Sequence, residues 1–308
     1  MRTVAKNLSL NLILIWVVAF LTQVEVLTAA DTGSLVKIRL IADRTVIEPG
    51  KKFRLGLLFR IAEGSHIYWL NPGDAGLAPE VDWRLPEGFR PGPLLWPVPE
   101  RIKEPGDLYV NVYENEVLLF TWVKPPEKLD AASVTLGAEA RWLVCRKVCT
   151  MGSARAELEL PVGEGSERQS MEEEIFKRYA PRVPRPAEDY PALKLSARWA
   201  DKPGLSAETR DALIVLETTD KGSFFLTAEN LVQWFDYPSG QAVSEKLYLG
   251  SSLSRPNSLQ LRLEVRKLEE AAPWPVDWGG VLTVKIVTAG GDTVDCPLSL
   301  KLNGQTGK

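Results

Sequence analysis

Alternation with a period of two dominates this chain and excludes most architectures before any motif is considered. The stretch "FRLGLLF" sets Phe53, Leu55, Leu57 and Phe59 on one side of an extended segment. "LVKIRLI" sets Val36, Ile38 and Leu40 against Lys37 and Arg39, and "EVLLFTWV" and "SVTLGAEARWLV" continue the pattern. Successive side chains of a strand point to opposite faces, so such runs predict antiparallel sheets with one buried face. Punctuated by Pro and Gly over about 130 residues, they predict a β-sandwich. Strands resume later in "ALKLSARW", "DALIVLETT", "SFFLTA", "KLYLG", "SLQLRLEV", "VLTVKIV" and "TVDCPLSLKL". About seven strands in about 110 residues predict a second sandwich, and an all-β chain.

Between the two lies a break. Ser170, with Glu173 three residues on, reads as a capping box opening a short helix, "MEEEIFKRYA". Glu172 to Glu174 would complement the helix dipole. Pro181, Pro184, Pro186 and Pro191 forbid regular structure beyond it. The expected organisation is a sandwich over 31–162, a semi-rigid linker with a short helix over 163–190, a sandwich over 191–303 and a tail over 304–308.

Residues 1–30 have the layout of a signal peptide. Arg2 and Lys6 precede an apolar run, Leu8 to Leu21, and the small residues of "LTAAD" follow, with cleavage expected after Ala30. The run falls short of the ~20 residues that span a bilayer. No later segment approaches that length, so the cleaved chain is expected to be exported, without a membrane span, into a compartment that permits disulfides. The net charge of −3 gives no footprint for nucleic acid. The single histidine, His66, removes most serine–histidine, cysteine–histidine and histidine-rich metal chemistry.

Cysteine carries the remaining chemistry. In "RWLVCRKVCT", Cys145 and Cys149 flank Arg146, Lys147 and Val148. If those three residues form a hairpin loop, Cys145 faces Cys149. The same register pairs Glu139 with Arg155, Ala138 with Ala156 and Leu136 with Leu158, matching charge with charge and apolar with apolar. Directly opposed strand residues lie within reach of a disulfide. Both sulfurs would sit off the core face that holds Trp142. As a staple, so short a loop contributes only about 2 kcal/mol. As a redox couple, the pair would gain thiolate character from Arg141, Arg146 and Lys147. Zinc lacks two further ligands. Geometry leaves staple and redox couple open.

The ordered motifs "HIYWLNPGDAGLAPEVDW", "LPEGF", "WPVPERI", "VYENEVLL" and "ARWLVCRKVCTMGSARAELELPV" resemble the N-terminal periplasmic domain of DsbD-type thiol:disulfide interchange proteins, nearest the branch with the copper-tolerance protein ScsB. The resemblance covers roughly residues 35–162. It implies an immunoglobulin-like fold, here two such sandwiches. It implies that Cys145 and Cys149 take electrons from a membrane-embedded donor and pass them to thioredoxin-like periplasmic proteins, with no cofactor. It also implies a cap loop, here Glu104 to Asn111, with Leu108 and Tyr109 as an apolar lid and Tyr68 beside the pair. The CxxxC spacing is shorter than in the best-known DsbD domain. Neither a transmembrane domain nor a thioredoxin-like CxxC domain follows, so a separate membrane protein would have to supply the electrons. The competing expectation is a periplasmic interaction module whose hairpin disulfide is purely structural.

Other residues have plainer expectations. His66 tunes a thiolate if it folds near Cys145, and is otherwise a hydrogen-bonded strand histidine. Asp74 belongs to a turn, "NPGDAG". Cys296 reads as a buried apolar residue. Trp199, Trp234, Trp274 and Trp278 read as core, with an aromatic ligand face as the alternative.

Overall fold

A computed structural model describes residues 34–163, 171–190, 193–200, 208–218, 224–226, 232–249, 258–269, 274–275, 277–288 and 293–303. The expected signal peptide and tail lie outside them, as does Ser170.

The first half contains β1 (Val36–Ala42), β2 (Phe53–Ile61), β3 (His66–Gly73), β4 (Glu80–Arg84), β5 (Arg90–Pro91), β6 (Glu100–Glu104), β7 (Leu108–Glu114), β8 (Glu116–Lys124), β9 (Ser133–Cys145) and β10 (Cys149–Pro161). A helix, α1 (Glu173–Tyr179), and β11 (Arg185–Pro186) follow. The second half contains β12 (Leu193–Trp199), β13 (Thr209–Thr218), β14 (Phe224–Leu226), β15 (Gln233–Asp236), β16 (Ala242–Leu249), β17 (Ser258–Lys267), β18 (Asp277–Thr288) and β19 (Thr293–Asn303).

Four sheets result. One has the order β1-β2-β8-β5, and the second has β10-β9-β3-β7-β6 with β4 also on β9. The third has β11-β19-β18-β14 with β15 on β18, and the fourth has β12-β13-β17-β16. The architecture is all-β and immunoglobulin-like, two sheets packed face to face in each half. Among the described residues, no strand of β1–β10 pairs with one of β12–β19.

Sheet β1-β2-β8-β5 is buried on both faces, against the simple alternation expected for "FRLGLLF". Leu55, Leu57 and Phe59 face the sandwich core, yet Leu58, Leu118 and Phe120 on the reverse side are also buried. The reason is α1. Its Phe176 is fully buried with its ring 5.8 Å from Phe120, the burial of such a ring contributing about 1.5–3 kcal/mol. Tyr179 donates to the Glu116 carbonyl at 2.7 Å, and Arg178 pairs with the Glu116 carboxylate at 2.9 Å. The segment expected as a linker therefore covers the first sandwich, and its β11 joins the second sandwich in parallel with β19. The helix starts later than a Ser170 cap requires: Glu172 is the N-cap and makes no side-chain capping bond. Acidic Glu173 and Glu174 in the first turn, and Lys177 and Arg178 in the last, suit the dipole.

The second half has its own core, with Trp199, Trp234 and Trp278 buried and Trp274 packed against them. Cys296 is free and buried in that core, which raises its thiol pKa. Among the described residues, no helix is long and apolar enough to cross a membrane.

Candidate functional site

β9 and β10 form the hairpin expected for the cysteine pair. The register sets Cys149 against Cys145, Arg155 against Glu139, Ala156 against Ala138 and Leu158 against Leu136. The two cysteines form a disulfide with Cα atoms 4.0 Å apart. Arg146, Lys147 and Val148 make the loop, all exposed.

The two faces of β9 then diverge. Trp142 and Val144 enter the sandwich core. Cys145 points the other way, but not into water. It is 3% exposed, in a small apolar cluster with Tyr68, Val110 and Val112, flanked by Ala75, Ile102 and Leu143. Both cysteines lie off the face that holds Trp142, as the register predicts, but Cys145 lacks the solvent access expected of a redox couple. The cause is that β3, β6 and β7 supply apolar residues to the same face. Cys149, beyond the turn, is exposed.

Strand pairing brings the polar partners in. His66 lies between Cys145 on β9 and Glu114 on β7. Two residues on, and so on the same face, Tyr68 places its hydroxyl 3.0 Å from Sγ of Cys145. A disulfide sulfur carries no proton, so the tyrosine O–H is the donor. His66 Nε2 lies 3.4 Å from the Tyr68 hydroxyl and 3.3 Å from Oε1 of Glu104. Burial lowers the His66 pKa, partly opposed by Glu104 and Glu114. Burial, reinforced by Glu104, raises the Tyr68 pKa. The imidazole is neutral near pH 7 and the phenol keeps its proton. The result is a chain of contacts, Glu104–His66–Tyr68–Cys145, ending on one sulfur.

Two turns complete the enclosure. Gly76 has φ +109° and lies against Tyr68, where a Cβ would fall 2.2 Å from the ring. The "NPGDAG" turn thus roofs the tyrosine, and only glycine fits so close. The β6–β7 hairpin turns through Pro105, Gly106 and Asp107, the last two at positive φ, and holds Glu104 at the end of β6. This is the stretch expected as a cap. Its contact with the network is made by Glu104, not by Tyr109. Tyr109 pairs with Lys103 across the hairpin, on the face opposite Glu104. Its ring is half-exposed under Lys103 Nζ, and its backbone N–H donates to Asp74 Oδ2 at 2.7 Å. Strand parity makes it unfit as a lid on the sulfurs. Leu108, opposite Glu104 and on its face, stays 38% exposed. Glu104, Glu114 and Gly76 had no individual assignment from sequence. The usable signal was the i, i+2 spacing of His66 and Tyr68, which puts both on one strand face.

Residues 38–161 match the family described as "Thiol:disulfide interchange protein DsbD, N-terminal". No curated protein matches the chain. Among solved structures, the N-terminal periplasmic domain of ScsB from Proteus mirabilis aligns at 16% identity with a TM-score of 0.55, covering 89% of this chain and 95% of that one. A protein of unknown function from Porphyromonas gingivalis W83 aligns far less well, at 10% identity and TM-score 0.24 over 88% of this chain and 100% of that one. Residues 38–161 are thus similar to the DsbD N-terminal family, and the chain shares its fold with the ScsB domain.

Proposed function

We propose that this chain, built around a DsbD N-terminal-type domain, is an exported thiol–disulfide exchange protein. In this reading Cys145 and Cys149 carry electrons to or from thioredoxin-like partners, and a separate membrane protein supplies the reducing equivalents. The observation that carries it is the asymmetry of the pair: Cys149 exposed, and Cys145 buried with the Tyr68 hydroxyl 3.0 Å from its sulfur. A passive staple needs no such donor.

The asymmetry supports one order of steps. An incoming thiolate attacks Sγ of Cys149, the accessible sulfur. A bond forms between donor and Cys149, the Cys145–Cys149 bond breaks, and Cys145 leaves as thiolate, accepting the Tyr68 O–H hydrogen bond. A second thiol of the donor attacks the donor's own sulfur in the mixed disulfide. This releases oxidised donor and the reduced pair: Cys149 leaves as a thiolate and takes up the proton given up by the donor's second thiol, and Cys145 takes one from water. Delivery runs the reverse course: Cys149 attacks a partner disulfide and Cys145 resolves the mixed disulfide. Arg146 and Lys147, exposed beside Cys149, favour its thiolate. Glu104 and Leu108, on the cysteine side of the β6–β7 hairpin, shield Cys145 between encounters.

The test combines a potential and a trap. The reduction potential, from equilibration with glutathione, should lie above about −300 mV. Cys145→Ser should hold a mixed disulfide with a thioredoxin-like protein through Cys149, and Cys149→Ser should not. A potential well below that limit, with no trapped species, makes the bond structural and overturns the proposal.

A further inference from the structure

The second sandwich grips the strands that carry the cysteine network. β15 supplies the grip. Its Trp234 carbonyl accepts Nη2 of Arg101 at 2.8 Å, and its Asp236 carbonyl accepts Nδ2 of Asn71 at 3.0 Å. Arg101 sits on β6 three residues before Glu104, and Asn71 on β3 three residues after Tyr68. Asn111 of β7 ties these together, accepting Nε of Arg101 at 3.1 Å and donating to the Asn71 carbonyl at 2.9 Å. The Arg101 guanidinium also lies 4.9 Å from the Phe235 ring centre. Trp69, next to Tyr68 and facing the other way, meets Phe235 at 5.8 Å and Tyr237 at 6.3 Å. Phe235 and Val281 belong to the same buried cluster as Trp69 and Trp142 of the first sandwich.

β15 is itself immobilised. The Asp236 carboxylate accepts Trp234 Nε1 at 2.6 Å, and Ser244 N and Oγ at 2.9 and 2.8 Å. A polar cleft of about 590 Å³ opens here, lined among others by Asn71, Arg101, Asn111 and Asp236. These four groups already hydrogen-bond one another or β15, which marks a joint rather than a vacant ligand site.

Strand alternation turns the joint into a lever. On β6, Arg101 faces the second sandwich, while Ile102 packs on the Cys145 cluster and Glu104 reaches His66. On β3, Trp69 faces the second sandwich and Tyr68 faces the sulfur. We infer that β15 positions the thiol–disulfide site, with Arg101 as the positioning residue that keeps the β6–β7 hairpin over Cys145. This rests on the exchange reading above and adds to it a control exerted by the second sandwich.

The consequence is measurable without any partner. Burial and the nearby Glu104 charge both oppose a thiolate at Cys145, so loosening the hairpin lowers its apparent pKa. The experiment is the pH profile of iodoacetamide alkylation at Cys145 in a Cys149→Ser background, read at that residue by peptide mass spectrometry so that free Cys296 is not counted. Arg101→Met keeps an apolar stem on Phe235 but loses both hydrogen bonds. It should alkylate roughly threefold or more faster near neutral pH, as about half a unit of thiol pKa implies. Arg101→Lys should recover part of the difference. Phe235→Leu leaves every first-sandwich residue in place and should shift the profile in the same direction. If Arg101→Met does not melt cooperatively, Phe235→Leu decides. Profiles superimposable on the parent's overturn the inference. An inert disulfide in the parent, with no mixed disulfide trapped, would instead overturn the exchange reading, and the alkylation profiles would still decide the role of β15.

Discussion

The Tyr68 hydroxyl lies 3.0 Å from Sγ of Cys145 and donates to it, although 77 residues separate the two along the chain. Both are almost wholly buried. One sulfur of the pair thus has a fixed hydrogen-bond donor in an apolar setting, while its partner, Cys149, is exposed. That difference underlies the first prediction.

Tyr68→Phe keeps the ring and removes the donor. A hydrogen bond to a thiolate contributes about 1.5 kcal/mol or more, so the reduced pair is destabilised relative to the disulfide. The reduction potential should become more negative by roughly 30 mV. The Cys145 pKa, read from thiolate absorbance, should rise by about one unit. An unchanged potential would remove Tyr68 from the chemistry.

His66 should give stability a dependence on pH. Its pKa is lowered in the folded protein from an ordinary 6.5, chiefly by burial. Below 6.5 the unfolded chain therefore takes up a proton that the folded chain resists. The contribution is complete above that pH and is lost as pH falls towards the folded value. Urea midpoints at a series of pH values should fall on acidification through this window. His66→Gln should flatten that part of the curve.

Gly76→Ala should strain the roof of the site. The added Cβ would fall 2.2 Å from the Tyr68 ring, at a φ of +109°. A cost of about 1–3 kcal/mol is expected, with a lower melting temperature and slower alkylation of reduced Cys145 near neutral pH, because the displaced Tyr68 hydroxyl no longer favours its thiolate.

Tyr109→Ala should leave that alkylation rate unchanged, because the ring faces away from the sulfurs. Glu104→Gln should raise the rate modestly by removing a negative charge from His66 and Tyr68. The reverse order of effects would restore Tyr109 as a lid.

Phe176→Ala should destabilise the first sandwich by about 3–5 kcal/mol. Phe176 packs on the sheet away from the cysteines, so the alkylation profile of the folded fraction should hold. Denaturant titration and alkylation of the same sample check both halves of this expectation.

Much of the site was legible in the chain because it rests on local periodicity. Alternation marks most of the strands. The CxxxC spacing, with Glu139 opposite Arg155 and Leu136 opposite Leu158, determined the hairpin register, since a slip of one residue would turn every apolar side chain outward. Pro105 and Gly106 mark the turn of the β6–β7 hairpin. Parity alone could have placed Tyr109 and Glu104 on opposite faces, given the start of β6 and β7. Other features depend on contacts between distant segments, which no period records. α1 lies on β8, so Leu58, Leu118 and Phe120 are buried where alternation left them outside. Glu104 meets His66, and the face holding Cys145 becomes a small second core rather than a wet surface. Arg101 reaches Trp234 across 133 residues of chain. A strand's sequence says which residues share a face. What that face meets is decided only when the other strands, and the other sandwich, close over it.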